Sequence, residues 1–122
     1  MAVNVMIVDD LAFIKIVLRD ILEKSGFRVV GEASNGDEAI RVYLDKRPDV
    51  VLMDITMPGM DGLTALKKIR EHDPNARIII CSALGQQRLI VQAIQLGAKD
   101  FIVKPFQPQR IISALKKALD IV

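Results

Sequence analysis

Tryptophan is absent from this 122-residue chain, and cysteine, histidine and tyrosine occur once each. With Cys81 alone no internal disulfide can form, and one Cys plus one His is too small a donor set for a zinc site. Cys81 follows the apolar run Ile78-Ile79-Ile80 and reads as a core residue. Charge of one sign is also scarce: 17 basic side chains face 15 acidic ones, a net charge of +2, with no basic block of five or more. A nucleic-acid surface is therefore not indicated, although the pI is 8.8. No apolar stretch approaches the roughly 18 residues that span a bilayer, and the first residues lack a charged-then-apolar signal. These absences lead to the expectation of a soluble protein in a reducing cytoplasm.

What the chain does have is alternation. Short β-branched runs at 3–8, 28–33, 50–53, 77–81 and 101–103 alternate with segments of helical period at 12–24, 37–46, 63–72, 86–96 and 108–119. Gly26, Asn35-Gly36, Pro48, Asp73-Pro74 and Gly97 punctuate them. This is the pattern of an α/β fold, a doubly wound five-stranded parallel sheet with five helices. Runs without polar residues, such as 50–53, must be covered on both faces. The length fits one domain over residues 1–122, and no linker, repeat or low-complexity stretch divides it.

Three apolar runs end in charge. Met6-Ile7-Val8 leads into Asp9 and Asp10, Val50-Val51-Leu52-Met53 into Asp54, and Phe101-Ile102-Val103 into Lys104-Pro105. Parallel strands would bring three carboxylates and one ammonium to a single sheet edge, where ligands of doubly wound sheets bind. Like charges that close together raise one another's pKa unless a cation joins them, so the cluster implies a divalent metal. A few hard oxygen donors favour Mg2+, with Mn2+ as a substitute. Each acid also has a plainer reading. Asp10 could cap the following helix, Asp54 could be a loop acid, Ser82 a helix-entry hydroxyl and Lys104 a solvated lysine. His72 sits where a helix gives way to Asp73-Pro74 and is given no catalytic role. Asp61 is expected to cap the third helix.

Four motifs occur in order: Val8-Asp9-Asp10, then Met53-Asp54-Ile55-Thr56-Met57-Pro58-Gly59-Met60-Asp61-Gly62, then Cys81-Ser82-Ala83, and finally Lys104-Pro105-Phe106. With them the whole chain resembles the receiver domain of bacterial two-component response regulators, and among those the single-domain chemotaxis type of Gram-positive and thermophilic bacteria. The resemblance implies strand order 2-1-3-4-5. It implies that Asp54 accepts a phosphoryl group from a histidine kinase of the CheA type. Asp9, Asp10, Asp54 and the backbone carbonyl of Thr56 would hold Mg2+, with Lys104 and Ser82 contacting the phosphoryl oxygens. Such a protein is a switch and not an enzyme with a separate substrate; it catalyses only its own phosphorylation and slow autodephosphorylation. The Lys104-Pro105 bond is expected to be cis, because Lys104 must turn back over the sheet edge.

The resemblance also implies an output face made by the fourth helix, fifth strand and fifth helix, bearing Ile90 and Phe101 and directed at a flagellar motor switch protein of the FliM type. Leu89, Ile90, Val91, Ala93, Ile94 and Leu96 cover more of the fourth helix than one core-facing stripe requires, which independently suggests a binding surface. Phe101 stands where tyrosine is common, so no hydroxyl latch can form there. Thr56 and Leu84, the positions that tune dephosphorylation, differ from the asparagine and glutamate of enterobacterial relatives. A phosphatase of the CheC, CheX or FliY type is therefore expected in place of CheZ. Two other readings stay open. An end at Val122 after an amphipathic helix suits a stand-alone protein and equally the receiver half of a DNA-binding regulator or another phosphorelay protein. A metal-dependent phosphatase would need a substrate cap, and the short connections leave no room for one.

Overall fold

The structure, a computed structural model, describes residues 2–121; Met1 and Val122, the ends of the expected 1–122 domain, lie outside the described residues. The elements alternate throughout: β1 (Asn4–Val8), α1 (Ala12–Lys24), β2 (Arg28–Ala33), α2 (Gly36–Lys46), β3 (Val50–Asp54), α3 (Gly62–His72), β4 (Ile78–Ser82), α4 (Gln87–Gln95), β5 (Asp100–Val103) and α5 (Pro108–Ala118). All strand pairings are parallel and the order is β2-β1-β3-β4-β5, as expected. No helix is long and apolar enough to cross a membrane among the described residues.

Because side chains alternate across a strand, each strand feeds two cores. Met6, Val8, Val51, Met53, Ile78 and Ile80 point to one face, where they meet Ala39 and Tyr43 of α2, Leu66 and Ile69 of α3 and Ala93 of α4. Val5, Ile7, Leu52, Ile79, Cys81 and Ile102 point to the other, against Leu18 and Leu22 of α1 and Ile111 and Leu115 of α5. β3 and β4 are buried at every position, which is why their sequences show no polar alternation. Cys81 is fully packed in the second core, and burial pushes its thiol up to about 12.

Several expected boundaries move by one residue. β3 and β4 run through Asp54 and Ser82, because Asp54 is still in register with Cys81 and Ser82 with Val103. The Asp54 and Ser82 side chains thus belong to the last rungs of the ladder. α4 is flanked by Gln86 and Leu96, which are its N-cap and C-cap and not its terminal turns. The Asp61 side chain accepts the Thr64 N–H at 2.8 Å, capping α3 as expected, and Asn35 does the same for α2 through Glu38 N–H at 2.9 Å. Asp10 does not cap α1: Leu11 is the N-cap residue and contributes no side-chain bond.

The lone tyrosine has a structural task. Tyr43 donates its hydroxyl to Asp73 Oδ2 at 2.7 Å, joining α2 to the end of α3. Burial and that carboxylate raise the phenol's pKa, and the same hydrogen bond lowers that of Asp73. His72, in the last turn of α3, is exposed.

Gly62 fixes where α3 starts. A Cβ built there would lie 2.3 Å from the Asp54 carbonyl oxygen and 2.7 Å from Ile55 Cα, both backbone atoms that cannot step aside. The Gly62 N–H donates to the Ile55 carbonyl at 3.0 Å, closing the loop directly behind Asp54. We expect Gly62→Ala to cost about 2–3 kcal/mol, the upper range for an overpacked site, measured as a fall in the urea midpoint at unchanged slope.

Candidate phosphoacceptor and metal site

The strand order reverses between β1 and β3, since β1 leads outward to β2 while β3 leads the other way to β4 and β5. In doubly wound sheets ligands bind at that point, beyond the carboxyl ends of the strands. Asp9 and Asp10 lie just past the end of β1, Asp54 ends β3, and Lys104 immediately follows β5. One carboxylate oxygen from each of Asp9, Asp10 and Asp54 lies within 4.8 Å of the others. Asp10 is exposed, whereas Asp9 and Asp54 are buried.

Backbone bonds hold this edge in place. Asp9 N–H donates to the Ala33 carbonyl at 3.0 Å and Lys104 N–H to the Ser82 carbonyl at 2.8 Å, which extends the ladder one rung past the strands on both sides. Asp9 Oδ1 accepts the Leu11 N–H at 2.9 Å, so this acid, and not Asp10, organises the turn into α1. Its Oδ2 takes the Lys104 ammonium at 3.1 Å, and the same ammonium stands 3.4 Å from Asp54 Oδ1. Asp54 Oδ1 also accepts the Thr56 N–H at 3.3 Å. The Lys104-Pro105 bond is cis.

Three carboxylates against one ammonium leave the cluster net negative. Burial strips solvent from Asp54 and raises its pKa above the ordinary 3.8, opposed by Lys104 and reinforced by Asp9. At Lys104 desolvation acts downward as the largest single influence, but Asp54 and Asp9 together outweigh it, and the net direction is up. The ammonium is therefore retained while the carboxylates compete for it. The donor set is all oxygen, compact and short of positive charge, which fits a small hard dication such as Mg2+.

Ser82 completes the edge. It is fully buried at the end of β4, and its Oγ has no hydrogen-bond partner among the described residues. An orphaned buried hydroxyl costs free energy, and one register step past Asp54 its uncommitted donor is available to an incoming acceptor. Thr56 and Leu84 are both exposed, Leu84 at 81%. Leu84 joins Ile90, Val91, Phe101 and Val103 around an apolar groove between α4 and β5. The surplus apolar surface expected on α4 is present, since Val91 is 55% and Ile94 44% exposed.

Two side chains that the sequence did not single out bear on this region. Arg110 of α5 pairs with Asp100 at 3.0 Å, donates to the Phe101 carbonyl at 2.6 Å and places its guanidinium 5.9 Å from the Phe101 ring centre. Gln86 bridges two loops beside Asp54. Neither has a motif, because each acts through contacts that only the folded chain creates.

A profile of the response regulator receiver domain matches residues 5–116, and the chain belongs to that family. Chemotaxis regulators are among the proteins it resembles. It is 57% identical to the chemotaxis protein CheY of Bacillus subtilis over 98% of this chain and 100% of that one. With the CheY of Thermotoga maritima the identity is 56%, over 96% and 98% of the two chains. Among solved structures it superposes on a chain of the CheX-CheY-BeF3-Mg complex from Borrelia burgdorferi with a TM-score of 0.89 at 41% identity, covering 93% of this chain and 87% of that one.

The raised Asp54 pKa has a stability consequence whose sign is fixed. A carboxyl whose pKa is higher folded than unfolded opposes folding once ionised; the penalty is absent below the unfolded value and complete above the folded one. We expect metal-free Asp54→Asn to melt a few degrees above the parent, roughly 2–6 °C, at neutral pH, with the gap closing as pH falls toward 3.8. Millimolar Mg2+ should raise the parent's melting temperature more than the variant's. A gap that does not change with pH would remove Asp54 ionisation as its cause.

Proposed function

We propose that this chain is a single receiver domain that works as a phosphorylation-activated switch in chemotaxis, with Asp54 as phosphoacceptor. The observation that carries the reading is a buried, solvent-stripped carboxylate at the reversal point of the sheet, within reach of Lys104 and grouped with Asp9 and Asp10. In the transfer, an Asp54 carboxylate oxygen attacks phosphorus and the bond from phosphorus to the imidazole nitrogen of a phosphohistidine breaks. The imidazole leaves with the electron pair.

Asp9, Asp10, Asp54 and the Thr56 carbonyl would hold Mg2+, and the bound ion supplies charge that offsets the repulsion between a carboxylate nucleophile and an anionic phosphoryl group. Lys104 is a mobile point charge that pairs with Asp54 beforehand and can follow a phosphoryl oxygen afterwards. The unpartnered Ser82 hydroxyl donates to another. The same groups support self-catalysed uptake from small phosphodonors and slow self-hydrolysis, with Thr56 and Leu84 at the mouth tuning the rate.

The partners follow from similarity: a CheA-like kinase, a CheX-type phosphatase as in the Borrelia complex, and a FliM-like motor switch protein. The exposed apolar groove of α4 and β5 supports the last of these as a site for an amphipathic helix.

We expect acetyl phosphate to add one phosphoryl group to the parent in Mg2+ and none to Asp54→Asn, read by intact-mass spectrometry. Magnesium-dependent labelling of the variant at another residue would refute the assignment.

For the output face, Ile90→Asp or Phe101→Asp should weaken binding of a motor-switch peptide roughly tenfold or more while labelling of Asp54 proceeds. Parent-like binding by both variants would place the output surface elsewhere.

A further inference from the structure

α2 and α3 begin with residues, Asn35 and Asp61, whose side chains cap their own first turns. α4 does not. Its N-cap residue, Gln86, makes no side-chain bond to the helix. Its carboxamide reaches outward instead: Oε1 accepts the Ala83 N–H at 2.7 Å, and Nε2 donates to Thr56 Oγ1 at 2.8 Å. Gly85, in the left-handed region at φ +87°, turns the chain so that Gln86 folds back over the loop it has just left. Thr56 in turn donates its N–H to Asp54 Oδ1. A hydrogen-bonded series thus runs from the Asp54 carboxylate through Thr56 to the start of α4, strapping the β3–α3 loop to the β4–α4 loop.

We propose that Gln86 is a positioning residue that stabilises the unmodified state by tying the start of α4 to the free carboxylate of Asp54. The inference rests on Asp54 being the phosphoacceptor. Modifying Asp54 turns the carboxylate into an acyl phosphate, which carries the negative charge out from the carboxyl oxygens to the phosphoryl oxygens and draws both the Thr56 amide and Lys104 toward them. Thr56 then shifts, its hydroxyl leaves Gln86, and the β4–α4 loop is released. A contact present before modification and weakened after it opposes modification, so its removal shifts the equilibrium the other way. This path reaches α4 from the β3–α3 loop and uses neither the Ser82 hydroxyl nor the Phe101 ring. Because the strap is one partly exposed neutral hydrogen-bond pair, its effect is modest.

The test titrates beryllofluoride, a phosphoryl mimic, into the full chain in Mg2+ buffer by calorimetry. Gln86→Ala and the similarly sized Gln86→Met should each bind it about three- to tenfold more tightly than the parent. In a Thr56→Val background, which lacks the receiving hydroxyl, Gln86→Ala should add less than about twofold, the non-additivity expected of partners in contact. A merely structural role would weaken binding or add independently. Should Gln86→Ala fail to fold by its melting curve, Gln86→Met carries the test. Unchanged or weaker binding by the folded Gln86 variants, or full additivity with Thr56→Val, overturns the strap while leaving Asp54 as phosphoacceptor. A parent that does not bind beryllofluoride overturns both.

Discussion

One ammonium shared by two buried carboxylates governs the edge of this sheet. Lys104 lies within 3.4 Å of both Asp9 and Asp54, and those acids sit at the ends of strands brought together by the order β2-β1-β3-β4-β5. Neither acid could be held this deeply without the lysine, and the lysine could not be drawn in without them. The balance is incomplete by design of the sequence: three acids meet one base, so the site is stable enough to persist and still short of positive charge. A small hard dication fits such a deficit, because its charge offsets that of the acids. The backbone enforces the geometry, because Asp9, Asp54, Ser82 and Lys104 all sit on or one rung beyond the ladder.

The legible part of the molecule is the part written in periodicity. Apolar runs ending in Asp9, Asp54 and Lys104 read directly as strand ends, and the unbroken Val50 to Met53 run signals the burial on both faces that β3 has. Strand order came from resemblance, since alternation alone does not choose among right-handed windings. The one-residue shifts at the ends of β3 and β4 fall where ladder bonds carry a polar residue, Asp54 or Ser82, that propensity alone assigns to a loop. Asp10 illustrates the opposite confusion. Its type and place suit a helix cap, yet Asp9 takes over the turn and leaves Asp10 facing solvent.

What stayed hidden depends on side chains meeting across loops. Gln86 and Thr56 are thirty residues apart and carry no shared motif. Arg110 reaches Asp100 and Phe101 only after α5 has folded back on β5. Ser82 was visible as a residue, but the absence of a partner for its hydroxyl among the described residues is a property of packing alone.

The clamp of Arg110 on Phe101 separates backbone from ring. The carbonyl of Phe101 is held by the guanidinium, its N–H by Asp100 Oδ1 at 2.8 Å, and the residue is locked in register with Ile80. The aromatic ring, 36% exposed and resting beside the guanidinium, is bound by no hydrogen bond. Its softest motion is therefore rotation about χ1, which breaks no rung of the sheet. Turning of an exposed ring of this kind belongs to the picosecond-to-nanosecond range, far faster than shifts of whole helices. The shape of the groove between α4 and β5 can thus be resampled many times during one rearrangement of a loop or helix.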